Sequence, residues 1–125
     1  MEVEDIMNVF LVTLNLYSPH RKYKIRSTKF NNSIGYKLFE LQGEFEHDFL
    51  LFVDLCKESV VVTINKNKFK NGIVFNYKLR NYEIDSEYLE HKMWKREDSG
   101  QIWTIKSNSV QVVYDVISVI NKKIQ

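Results

Sequence analysis

Alanine is absent from this 125-residue chain, and cysteine, proline and glycine are scarce, at one, one and four residues. A lone Cys56 rules out an intramolecular disulfide, and with it a disulfide-stapled secreted scaffold. The glycines are isolated, so no G-x-G-x-x-G or G-x-x-x-x-G-K-[ST] loop is available to cradle a phosphate. With Pro19 as the sole proline there is no proline-rich linker, and no segment repeats. No uncharged apolar run reaches the roughly 18 to 20 residues that cross a bilayer as a helix. The opening "MEVED" is acidic where a secretory leader begins basic, which points to a cytoplasmic protein. Missing alanine also lowers helix propensity throughout and tilts the composition toward strands.

What is present suffices for one folded domain spanning 1–125. Hydrophobic residues make up 44% of the chain and charged residues 27%, a globular balance. Phe10, Val12, Leu14 and Leu16 alternate with their neighbours in the manner of a half-buried strand. Pro19 breaks that run, and Lys22 to Ser27 form a second expected strand. In "GYKLFELQGEF", Phe39, Leu41 and Phe45 fall on one strand face. The segment 46–57 fits two patterns: Phe49, Phe52, Val53 and Cys56 form a helical face, while Phe49, Leu51, Val53 and Leu55 form a strand face. The strand is preferred because its neighbours are strands, and an extra helix there is the alternative.

The Asn71-Gly72 pair between two β-rich runs is a strong hairpin signal. A register symmetric about it sets Lys66 opposite Tyr77, Lys68 opposite Phe75 and Ile64 opposite Leu79. A further hairpin at "REDSGQ" would bring Trp94 opposite Trp103. Near the C-terminus, Val110, Val113, Tyr114, Ile117, Ile120 and Ile124 recur at helical spacing, with Asn108 as the expected N-cap and Lys122 and Lys123 at the negative end of the dipole. Val112, Val116 and Val119 widen its apolar side beyond a single stripe. Such a helix, over 109–124, either lies deep against a sheet or buries its second flank on another copy as a homodimer. The expected fold is α+β: a mostly antiparallel, meander-rich sheet of six to eight strands, with room for strong curvature, and a C-terminal helix on one face.

The net charge of +2 conceals an alternation along the chain. Residues 19–39 are basic (Arg21, Lys22, Lys24, Arg26, Lys29, Lys37), 40–58 acidic, 59–82 basic and 83–98 acidic. No pair of His20, His47 and His91 has metal-ligand spacing, and the carboxylates of "EFEHD" lack a second histidine, so no metal or other cofactor is expected. Cys56 lies in an apolar stretch and is expected to be a buried, inert thiol. Nothing singles out a catalytic group.

Three readings of function follow. The leading one is a non-enzymatic protein-binding module, with Glu44, Glu46, Asp48, Glu83, Asp85, Glu87 and Glu90 turned toward a basic protein partner. In size and charge layout the chain is similar to the general class of small cytoplasmic immunity proteins that neutralise nuclease toxins. The second is nucleic-acid binding through Lys66, Lys68, Lys70, Phe75, Tyr77, Lys78 and Arg80, a basic and aromatic hairpin that would stack bases and pair phosphates. The third is a small-ligand carrier or enzyme built in a barrel-like sheet.

Overall fold

The computed structural model describes residues 2–30, 33–69, 79–85 and 102–121. Helix α1 (Val3–Tyr17) comes first, where the alternation had suggested a strand. The longer window explains the correction. Val3, Ile6, Met7, Phe10 and Leu14 are all buried, at intervals that repeat every helical turn. Val12 and Leu16, half of the apparent strand face, are 59% and 71% exposed. Glu4 and Asp5 occupy the first turn, at the positive end of the helix dipole. The helix stops at Ser18, whose N–H donates to the Leu14 carbonyl, because the residue before a proline avoids the helical region. Tertiary burial outweighs the poor helix propensity of its valines.

Six antiparallel strands follow in the spatial order β1-β2-β3-β4-β6-β5. They are β1 (Lys22–Phe30), β2 (Ser33–Gln42), β3 (Phe45–Leu55), β4 (Val60–Asn65), β5 (Ile84–Asp85) and β6 (Ile102–Ser107). Five are full strands and β5 contributes two residues. The first four form a meander. Segment 46–57 is therefore strand through Leu55, with no helix. Cys56 lies beyond it in the β3–β4 turn, exposed and not buried as its apolar neighbours implied. Its N–H donates to the Ser59 carbonyl, so the turn, not the core, decides its position.

Alternation along these strands sorts the side chains into two faces. On one, Leu38, Leu51, Val53, Val62, Ile64 and Ile105 build the main core with both helices. On the other, Phe39, Phe49 and Ile102 cluster with Leu41. Phe52, 1% exposed, lies against Gly35, where a Cβ would come within 2.9 Å of the ring. That glycine is present for want of space.

The expected pairing of Ile64 with Leu79 does not occur. Ile64 is flanked by Leu51 on β3 and Trp103 on β6, so neither edge of β4 is open to another strand. After Asn65 the chain turns away through one turn of 3-10 helix, Lys66–Lys68, because the Asn65 side-chain oxygen accepts a hydrogen bond from the Asn67 N–H. The Asn71-Gly72 turn, the "REDSGQ" turn and Trp94 lie outside the described residues.

Helix α2 (Gln111–Ile120) packs against β4, β6 and α1, as the C-terminal pattern implied. Val112, Val113, Val116, Val119 and Ile120 are buried. Two details differ. The N-cap position is Val110 and not Asn108; one residue earlier, the Ser109 hydroxyl accepts from the Gln111 N–H. The apolar side is also narrower than projected, leaving Val110 and Tyr114 46% and 52% exposed. Lys122, Lys123 and Ile124 lie outside the described residues. No described helix is long and apolar enough to cross a membrane.

Candidate functional site

Five of the residues singled out by charge, Glu44, Glu46, Asp48, Lys66 and Lys68, lie at one end of the sheet, where β2 turns into β3. Gly43, at φ 64°, and Glu44 form that turn. A positive φ suits glycine, which has no Cβ to clash. Glu44 is exposed in the turn, and Phe45, which follows it, is 78% exposed. The sequence had put Phe45 inward with Phe39 and Leu41. The reason lies in the turn: Gly43 and Glu44 are its two residues, so Phe45 pairs with Gln42 and shares its face, opposite to that of Phe39 and Leu41.

Behind Phe45 the charges interlock. Arg26 grips Glu46 with two contacts, Nε to Oε1 at 2.7 Å and Nη2 to Oε2 at 3.2 Å, and Lys37 Nζ reaches Oε2 at 3.1 Å. Arg26 and Lys37 are direct cross-strand neighbours on β1 and β2, so one carboxylate bridges two cations that would otherwise repel. Burial pushes the Glu46 carboxyl upward, but its hydrogen bonds to Lys37 and Arg26 and their charges outweigh that, leaving its pKa below the ordinary value. Lys37 Nζ also lies 5.6 Å from the Phe39 ring centre.

A second cluster closes the same end from β4. Lys68 Nζ lies 2.8 Å from Glu40 Oε1 and 3.8 Å from Asp48 Oδ2. Asn65, fully buried, donates from Nδ2 to the Phe49 carbonyl at 3.0 Å and to Asp48 Oδ1 at 3.3 Å. Lys66 Nζ sits 4.6 Å from the centre of the Trp103 ring, and burial lowers its pKa. The 3-10 turn thus spends both lysines on the chain's own carboxylates and indole.

The expected residues therefore divide. Glu44, Glu46 and Asp48 share the sheet end without sharing a face, and Glu46 and Asp48 hold internal partners. Glu83 is exposed elsewhere, beside the short β5, and Asp85 pairs in register with Thr104. Glu87, Glu90, Lys70, Phe75, Tyr77 and Lys78 lie outside the described residues. Arg80 is exposed next to the fully buried Leu79. Among the described residues no group of three or more His, Cys, Asp or Glu side chains is placed to hold a metal ion. Sequence reasoning missed Phe45 as a surface residue. Its position directly after a glycine turn was the available signal.

No protein-family model matches the chain, and neither does any curated protein or solved structure.

Proposed function

We propose that this chain is a non-enzymatic protein-binding module, of the class of small cytoplasmic immunity or inhibitor proteins that neutralise a basic, nuclease-type toxin. The observation that carries this reading is Phe45, 78% exposed between Glu44 and Glu46 on a turn braced by ion pairs. Exposed aromatic side chains on rigid supports are the usual anchors of protein interfaces. The exposed Glu44 carboxylate beside the anchor favours a basic partner and speeds its approach. The Arg26–Glu46–Lys37 bridge holds the turn in place before binding, which lowers the ordering cost of association.

Purification of the tagged chain from its native cells, at low salt, tests this directly. A stoichiometric basic protein is expected, with Phe45→Ala weakening its binding by about 30-fold or more, the loss of an anchor worth about 2 kcal/mol. Recovery of nucleic acid in place of protein would overturn the proposal.

That second outcome has one observation in its favour. Lys22, Lys24 and Lys29 lie exposed along β1, and no ion pair among the described residues involves them. A phosphate-binding surface there would lose affinity by about 0.7 to 0.9 log units per contact for each log unit of salt.

A further inference from the structure

Helix α1 has two apolar faces. One is the buried face already described. The other is a stripe of Val9, Val12 and Leu16, which are 63%, 59% and 71% exposed and spaced three and four residues apart. Tyr17, 82% exposed, extends the apolar surface at the helix end. Val9 also borders a groove of about 270 Å³ between the helices, lined by Phe10, Thr13, Tyr114 and Ile117 among others. Through Val9 the stripe adjoins the groove and Tyr114, a largely apolar surface with Thr13, Ser118 and Asn121 as its polar members. A monomer gains nothing from keeping it wet.

We propose that this surface joins two copies of the chain as a symmetric dimer, with α1 crossing its counterpart antiparallel about a two-fold axis near Val12 and Thr13. The charges on either side of the stripe select this occupant. Glu2, Glu4 and Asp5 stand at the N-terminal end, and no lysine or arginine occurs before Arg21. His20, Arg21 and Lys22 follow the C-terminal end. A surface acidic at one end and basic at the other complements itself only when the second copy runs the opposite way. A two-fold axis imposes that arrangement, since each residue must then meet its partner reciprocally.

In this register Val9 meets Leu16 of the second copy, so that leucine sits at the mouth of the groove. The two Asp5 carboxylates are separated by roughly 22 Å along the axis at 1.5 Å per residue, well beyond the screening length of about 8 Å at physiological salt. A parallel pairing would stack the acidic ends together. The exposed apolar side chains of the layer amount to several hundred Å², on the order of the roughly 800 Å² per partner in a standard interface. The surface lies on the helical layer, apart from the Phe45 turn, so the dimer and the docking of a basic protein are independent and can fail separately.

Sedimentation equilibrium of the purified chain is the test. The wild type is expected to dimerise, and Val12→Asp with Leu16→Asp to raise the dissociation constant by at least about 100-fold, since each buries an unpaired charge. Both positions face solvent in the monomer, so circular dichroism and melting should remain those of the folded chain. Against a fold defect, a second variant guards the result: Thr13→Cys in a Cys56→Ser background should cross-link under mild oxidant, because the two copies of residue 13 lie beside the axis. A wild type that stays monomeric at high micromolar concentration overturns the proposal. So does a dimer that survives both aspartates.

Discussion

The turn end of the sheet and the outer face of α1 are made of opposite materials. At the turn end nearly every described charge is answered: Glu46 by Arg26 and Lys37, Lys68 by Glu40 and Asp48, and Asp48 also by Asn65. Along α1 the stripe of Val9, Val12 and Leu16 is left exposed by the described residues around it. Charge rich in the sequence is therefore largely structural here, while apolar surface that looks like core is left over. Counting charges along a segment overstates what it can offer a partner, because cross-strand neighbours neutralise it. One exposed aromatic on the braced turn is worth more to docking than the carboxylates behind it.

If that contrast is right, changes at the sheet end alter folding and changes on the outer helix face do not. The largest effect is expected from Asn65→Ala. It strips the Phe49 carbonyl, Asp48 and the Asn67 N–H of a shared buried partner, and should cost about 2 to 3 kcal/mol in chemical denaturation. Next is Gly35→Ala, which pushes a methyl group into the Phe52 ring and should cost about 1 to 3 kcal/mol on the same measurement. A neutral result for Asn65→Ala would mean that the sheet end yields more easily than its packing implies, and one for Gly35→Ala, at the far end of β2, that the Phe52 ring moves aside.

Tyr82→Phe should lose about 1 to 2 kcal/mol, since the Tyr82 hydroxyl donates to Asp115 and ties the 79–85 segment to α2. Burial, then the hydrogen bond to Asp115 and its charge, push the Tyr82 hydroxyl up to about 12. A raised pKa favours the neutral form in the folded state. The contribution is therefore complete below the unfolded value of about 10 and disappears as pH rises toward the folded value. Melting temperatures on the alkaline limb should fall more steeply for the wild type than for Tyr82→Phe.

Glu46→Gln should change stability least, by less than about 1 kcal/mol, because the pair is partly exposed to solvent. Its signature is in acid. A lowered carboxylate pKa contributes stability above the unfolded value of about 4.3 that is lost as pH falls through the folded one. The variant should lack that part of the acid limb.

Part of this was legible in the chain beforehand. Val112, Val113, Val116, Val119 and Ile120 give the C-terminal helix a period that no strand can satisfy, and the antiparallel sheet followed from the β-rich runs between turns. Helix α1 was misread because its two apolar stripes, Phe10 and Leu14 on one and Val12 and Leu16 on the other, interleave into a false alternation. Only Val3, Ile6 and Met7, one turn earlier, break the tie. The ion pairs at the sheet end join residues 9 to 28 positions apart, and no local pattern announces them. Phe45 was misread because the alternation from Phe39 through Leu41 was carried across the Gly43-Glu44 turn, where the chain reverses and Phe45 pairs with Gln42 instead.

The most direct test is a titration of the purified native partner against wild type and Phe45→Ala, with melting of both proteins measured alongside. Unchanged melting and a dissociation constant raised by about 30-fold or more in the variant is the expected result. Equal affinity for both proteins would contradict the assignment of the turn as the docking site.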